Sequence, residues 1–309
     1  MQQPTTDLPI IDHRIAAILR RKRVLRLEDD IWRMEARTLR TYFGAITSGR
    51  TIAKRMIRSI VWQVYERIHT GKMDPIEGNV RSFWYRFVKP TLARVGILQT
   101  AKVDHYLTMM QIFAEMVEDL DLFKYTAFGF DDSTWENRRI GAKHPTTIVF
   151  AEKAGFMRFL KEQVHAVYDV TVTALSGWPS ILSTEYMARH IEKAGGYDPP
   201  EKVWDQEKVR LFSIVDWDPS GWMIREAFVR QLQDQGMTSY EMVDLIHPKS
   251  FTEEEIALYA YPVPSGPRQV KKNKRWLEAT GGLSGRLDGL EADSMARETL
   301  RSLLQSRMA

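Results

Sequence analysis

The sequence predicts an α/β protein whose N-terminal part is helical and whose second half is organised on a mainly parallel sheet. Three observations lead there. Short runs rich in Ile, Val and Phe, Thr147–Phe150 and Val209–Val215, are each followed by acidic residues, and the second is closed by Pro219 and Gly221. That is the pattern of strands buried on both faces. From residue 146 onward such runs alternate with segments of helical period, as β-α-β crossovers require. Ahead of residue 143, apolar residues recur at three- and four-residue spacing instead.

Composition sets the outer bounds. The 309 residues suit two domains, and 44% hydrophobic with 27% charged residues is ordinary for a globular protein. The absence of cysteine excludes disulfides and thiolate metal sites and fits a reducing compartment. No signal peptide and no apolar run long enough to span a bilayer is present, nor is an internal repeat. A cytoplasmic, nucleoid-associated location is expected, or a nuclear one in a eukaryote. The net charge of +4 is uneven: residues 1–60 carry 13 Lys and Arg against 6 Asp and Glu, a balance of +7 that leaves −3 for the rest. Such a basic end suits a polyanionic partner, with a solvated helix face as the plainer alternative.

In chain order, residues 1–10 read as disordered. Residues 11–45 form one or two amphipathic helices carrying Arg20, Arg21, Lys22 and Arg23, candidates for DNA backbone contacts, and the acidic Glu28-Asp29-Asp30. Thr47-Ser48-Gly49 breaks that pattern and closes an N-terminal extension, 1–48. A helix over 51–69 follows, with Ile57, Ile60, Val61, Val64 and Ile68 on one face and Gly71 beyond its end. A second helix covers Gly78–Val88, and Pro90 should fall at or soon after its end. Two helices joined by a short turn in a basic context suit a helix-turn-helix or winged-helix module, here 49–143. Residues 103–122 are helical, with Met109, Phe113, Met116, Val117 and Leu120 as a core stripe. Residues 123–145 are loop-rich; Asp131-Asp132 lacks neighbouring ligands for a second metal site.

The second half, 144–309, reads as strand 146–151, helix 153–166, strand 168–175, helix 181–194, a loop over 195–200, strand 209–215, helix 220–235 and a further strand at 240–246. Pro248, Pro262, Pro264 and Pro267 and the basic run Lys271-Lys272-Asn273-Lys274-Arg275 follow, the run suiting either DNA backbone contacts or a solvated loop. Residues 292–307 read as a last helix. Parallel strands present ligands at their carboxyl ends, so Glu152, Asp216 and Asp218 should meet on one edge of the sheet. Three carboxylates at one place repel unless a cation lies among them, and oxygen-only ligands suit Mg²⁺ or Mn²⁺.

Glu152-Lys153 after a strand, then Gly177-Trp178-Pro179, then Asp216-Trp217-Asp218-Pro219-Ser220-Gly221, resembles a Toprim domain. The Asp-x-Asp-Pro-x-Gly form with a Gly-aromatic-Pro ahead of it is similar to the A subunit of topoisomerase VI and the related meiotic double-strand-break protein. The resemblance is good over about residues 146–235 and loose over about 50–145. It implies a winged-helix-like domain followed by a Toprim domain, with Mg²⁺ (or Mn²⁺) held by Glu152, Asp216 and Asp218. The family's Arg-x-x-Tyr-Tyr motif is matched by Arg81-Ser82-Phe83-Trp84-Tyr85, which places Tyr85 as nucleophile and Arg81 as its phosphate-binding partner; Trp84 stands for the first aromatic. Tyr65, Tyr106 and Tyr125 lack an Arg one turn earlier in this pattern, and a core or rim role is the ordinary alternative for Tyr85. Ser183-Thr184-Glu185 departs from the family by carrying Glu where it has Arg. Lys153 either touches DNA phosphate or is solvated.

The resemblance implies Mg²⁺-dependent transesterification of double-stranded DNA by a homodimer, leaving 5′-phosphotyrosyl ends. No Gly-x-x-x-x-Gly-Lys-Ser/Thr motif occurs, so any ATPase would be a separate B-type subunit. The chain is shorter than the usual A subunit, which suggests a compact standalone relative without that partner. Two other readings stay open: a Toprim nuclease that hydrolyses DNA without using Tyr85, and a DNA-binding structural protein with a relict metal site.

Overall fold

The computed structural model describes residues 12–44, 49–76, 78–100, 104–195 and 208–308. Residues 1–10, the break at Thr47-Ser48 and the loop expected at 196–200 lie outside them. The chain divides into two compact units, Met1–Asp132 and Ser133–Ala309.

Among the described residues the first unit is helical, with no β-strand. It comprises α1 (His13–Arg21), α2 (Ala36–Phe43), α3 (Gly49–His69), α4 (Val80–Phe83), α5 (Lys89–Arg94), α6 (Ile97–Thr100) and α7 (His105–Ala114). Helix α3 is the organising element because its apolar residues repeat at helical spacing. Ala53, Met56, Ile57, Ile60, Val61 and Val64 are all buried. Lys22 and Arg58 both pair with Glu115, at 2.5 and 2.7 Å, tying the end of α1 and the middle of α3 to the π-helical turn Glu115–Asp119 that continues α7.

The sequence predicts a helix over Gly78–Val88 that ends at or just before Pro90, whereas the observed helix starts at Val80. It instead runs on through a π-helical turn, Trp84–Val88, into α5, with Pro90 in the first turn of α5. The Lys89 amide already reaches five residues back, to the Trp84 carbonyl. Proline, which has no amide hydrogen, therefore sits where the ordinary helical ladder has been interrupted. The Thr91 hydroxyl donates to the Phe87 carbonyl at 2.6 Å. Asn79 caps the start, its side chain accepting from the Arg81 and Ser82 amides. Phe83 and Phe87, one turn apart, are buried, with Phe83 meeting Phe113 edge-on at 5.0 Å. The opposite face, carrying Arg81 and Tyr85, is exposed.

The second unit is α/β. Its five-stranded sheet has the order β1-β3-β2-β4-β5, from β1 (Arg138–Arg139), β2 (His144–Ala151), β3 (Val170–Ala174), β4 (Val209–Ile214) and β5 (Tyr240–Asp244). Strands β2 to β5 are parallel, and β1 pairs antiparallel with β3 at the edge. The two-faced burial expected from the apolar runs is present. Ile148 and Phe150 face one layer, while Val149 and Ala151 face the other. On the first side lie α10 (Ile181–Ala194) and α11 (Pro219–Asp234), where Phe150 meets Phe228 at 4.7 Å.

On the second side lies the helical stretch after β2. Its parts are a 3₁₀ turn at Ala154–Phe156, α8 (Met157–Phe159), a π-helical turn at Leu160–His165 and α9 (Ala166–Tyr168). The C-terminal elements α12 (Glu253–Tyr259), β6 (Tyr261–Pro262), α13 (Val270–Thr280), β7 (Asp288–Gly289) and α14 (Arg297–Met308) follow β5. Trp276, Leu290, Leu300 and Leu304 from this portion enter the second core layer.

Strand order places a switch between β2 and β4. The chain leaves β2 for β3 on one side and returns to β4 on the other, so the carboxyl ends of β2 and β4 open onto a crevice.

Candidate functional site

Glu152 follows β2, and Asp216 and Asp218 follow β4, all at that switch. The Glu152 amide donates to the Ile214 carbonyl at 3.1 Å, and the Asp216 amide to Glu152 Oε2 at 3.4 Å. The structure therefore brings Glu152 and Asp216 into contact, with Asp218 two residues further along the same loop. Burial, then the negative charges of Asp216 and Asp218, raise the Glu152 carboxyl above its ordinary value.

Each aspartate is held by its own partners. Asp218 caps α11, with Oδ1 accepting from the Ser220 and Gly221 amides at 2.7 Å each. Its Oδ2 accepts from the Tyr261 hydroxyl at 2.9 Å. Gly221 is required by close approach: a Cβ there would lie 2.2 Å from the Asp216 carbonyl oxygen. This explains the glycine of Asp-Pro-Ser-Gly, because the first turn of α11 packs directly on the backbone of the first aspartate.

Asp216 Oδ1 accepts from the Ala292 amide at 2.8 Å and from Lys153 Nζ at 3.0 Å. Lys153 also pairs with Asp293 at 3.2 Å. Burial opposes its charge, yet the two aspartates raise its pKa above the ordinary lysine value. In this structure Lys153 is thus the internal counter-ion of the acidic cluster.

Between the two aspartates, Trp217 is buried, and its backbone exchanges hydrogen bonds with Leu290 at 2.8 and 3.2 Å. The segment 288–293 therefore forms a strap across the Asp216–Asp218 loop. Tyr261, Asp293 and the strap are site components that sequence reading missed. The only local signal was the Gly289-Leu290-Glu291-Ala292 segment, which says nothing about which loop it meets.

The donor set fits a hard divalent cation by its chemistry. It consists of carboxylate oxygens alone, the donors such a cation takes. Its members are turned to separate partners, and among the described residues no group of three or more His, Cys, Asp or Glu is gathered around a common point.

In the first unit, Tyr85 is 49% exposed. Its phenol is lowered below the ordinary tyrosine value by a hydrogen bond from Arg81, then by the charges of Arg81 and Lys89. The guanidinium carbon of Arg81 lies 5.8 Å from the Tyr85 ring centroid and the Lys89 ammonium 4.9 Å. Lys89 was not singled out from sequence, although it stands one turn after Tyr85. The other tyrosines differ. Tyr125 is buried, burial raises Tyr65, and Tyr106 packs edge-on against Trp84 at 5.8 Å. Of the basic run on α1, Arg20, Arg21 and Arg23 are exposed, whereas Lys22 is committed to Glu115.

A scan of protein-family models finds no match to this chain, and a search of curated proteins finds none either. Among the described residues no helix is long and apolar enough to cross a membrane.

Proposed function

We propose that this protein is a metal-dependent, DNA-cleaving transesterase of the topoisomerase VI A-subunit type, with a helical first unit of helix-turn-helix type and a Toprim-like second unit. The observation that carries the proposal is Tyr85: an exposed phenol beside two cations, with its pKa lowered by Arg81. A nucleophile needs access and activation, and this tyrosine has both.

In the proposed reaction Tyr85 Oη gives up its proton to solvent and attacks the phosphorus. An Oη–P bond forms, the bond from phosphorus to the 3′ oxygen breaks, and that oxygen leaves as a hydroxyl after taking up a proton. The product is a 5′-phosphotyrosyl ester, which conserves the phosphodiester for religation. Arg81 and Lys89 favour the phenolate and meet the phosphate's non-bridging oxygens. Mg²⁺ or Mn²⁺, when held by Glu152, Asp216 and Asp218, supplies positive charge that offsets the negative charge developing on the phosphate and the 3′ oxygen. Lys153 offsets charge on Asp216 from within the cluster, and Tyr261 and the Ser220 and Gly221 amides fix the Asp218 carboxylate. A homodimer is the cutting form expected from the family resemblance, and phosphate contacts make binding salt-sensitive and largely independent of base sequence.

The test is cleavage of supercoiled plasmid with Mg²⁺ or Mn²⁺, quenched in detergent, with and without protease digestion. Wild type, Tyr85→Phe and Glu152→Gln are compared. Wild type should leave protein on 5′ ends, and neither variant should. Unmodified ends from both wild type and Tyr85→Phe, lost in Glu152→Gln, would replace this reading with metal-dependent hydrolysis. No cutting by wild type would remove it.

A further inference from the structure

A cleft of about 360 Å³ runs along α11, and the proposed reaction gives it no role. Its lining includes Trp178, Trp222, Arg230, Tyr240 and Arg275. Trp178 is 57% exposed and Tyr240 is 39% exposed, so two exposed aromatic rings line the cleft. Trp222 is half-buried, and the Arg275 guanidinium carbon lies 5.8 Å from its ring centroid. Buried Ala227 and Val229 of α11 also line it.

The cleft is tied to the acids by the backbone. The Gly177 amide, next to Trp178, donates to the Glu152 carbonyl at 2.9 Å, and the Trp222 amide donates to the Asp218 carbonyl at 3.0 Å. Its rim is cationic. Arg230 and Arg275 are exposed, and the lining carboxylate, Glu226, is paired with Arg225 at 2.7 Å. Helix α13, which carries Arg275, also carries Lys272, whose Nζ bonds Ser220 Oγ at 2.6 Å, in the first turn of α11.

We infer that this cleft binds an unpaired nucleobase of single-stranded DNA, stacked on Trp178, with Arg230 and Arg275 at the flanking phosphates. The inference rests on the reading of this protein as one that acts on DNA. Flat aromatic faces beside guanidinium groups match a base and its phosphates, and stacking tolerates any base because each has a π face. The bases of an intact duplex offer no such face, so the occupant is a strand end or a locally opened strand. The volume lies at the small end of ligand pockets, consistent with one nucleotide rather than a run of them.

The probes are a labelled oligothymidylate and a labelled duplex of the same length. Binding is followed by fluorescence anisotropy in EDTA over a salt series, so that no cleavage occurs. Trp178→Ala should weaken the single strand by about tenfold, in the range that base–aromatic stacking supplies, and leave the duplex nearly unchanged. Arg230→Ala and Arg275→Ala should weaken the single strand, reduce its salt slope by about 0.7 each, and leave the duplex nearly unchanged.

Because Trp178 is exposed, its removal should not unfold the unit, and hydrogen exchange of β4 amides verifies this. Unchanged oligothymidylate binding by Trp178→Ala overturns the inference, as does equal weakening of both probes or no single-strand binding by wild type. Plasmid cleavage is read separately. Loss of tyrosine-linked ends with intact Trp178-dependent binding removes the transesterase proposal alone. Tyrosine-linked cutting without Trp178-dependent binding removes this inference alone.

Discussion

Tyr261→Phe removes one oxygen and tests whether the C-terminal segment holds the second aspartate in place. In the native protein the Tyr261 hydroxyl donates to Asp218 Oδ2 at 2.9 Å, and a Cβ added at Gly289 would come within 2.8 Å of the Tyr261 ring. The ring is thus seated by the β6–β7 pair, and phenylalanine can occupy the same place. A hydrogen bond to a charged acceptor contributes about 1.5–3 kcal/mol net. Tyr261 is half-buried and water can reach Asp218 in the variant, so the lower end, about 1.5 kcal/mol, is expected.

The sign of the pH dependence follows from the phenol. Burial, then the negative charge of Asp218, raise the Tyr261 pKa, so the folded state holds that proton more tightly than the unfolded chain. The stabilisation is complete below the unfolded value of about 10. Above it, stability falls by up to about 1.4 kcal/mol per pH unit relative to Tyr261→Phe. The other tyrosines are common to both proteins and cancel in the difference. The assay is urea unfolding followed by hydrogen exchange of the β4 amides, which reports on the second unit without interference from the first. Equal stability of the two proteins at neutral pH, or an advantage of wild type that grows above pH 10, would refute the argument.

Two further predictions concern the first unit. The ultraviolet difference titration of wild type against Tyr85→Phe should show one phenol ionising below the ordinary value of about 10. Arg81→Ala should move it back up, because Arg81 supplies the leading hydrogen bond and charge; an unmoved midpoint sinks that assignment. Burial raises Glu115, but Lys22 and Arg58 pull it below its ordinary value, so its contribution exists above the unfolded value of about 4.3 and is lost as pH falls through the folded one. Glu115→Gln should therefore cost ~1–2 kcal/mol at neutral pH, measured by urea unfolding of the first unit, with the gap closing in acid; a gap independent of pH counts against the pairing.

Much of the second unit was legible in the chain. Runs such as Ile148-Val149-Phe150 and Leu211-Phe212 encode strands that bury both faces, and alternation with helical segments forces parallel crossovers. Parallel strands then bring Glu152, Asp216 and Asp218 to one edge wherever β2 and β4 are neighbours. In the first unit, the spacing of Arg81 and Tyr85 put both on one helix face, opposite Phe83 and Phe87. Pro90 was the local signal that misled: a helix end was expected, yet a π-helical turn ahead of it let the helix continue.

Periodicity and spacing therefore determined the strands and the helix faces, since each depends on residues only a few positions apart, whereas Glu152 and Asp216 meet across 64 residues only because β2 and β4 are neighbours. The tertiary structure alone decided what surrounds them. Lys153 meets Asp293 from 140 residues away, Ala292 meets Asp216 across 76, and Tyr261 meets Asp218 across 43. Such partners are chosen by how the C-terminal segment closes over the β4 loop, where Leu290 pairs with Trp217 and Trp276 packs into the core. No local pattern encodes that closure. A carboxylate's charge balance depends on groups within a few ångströms in space, whatever their distance along the chain.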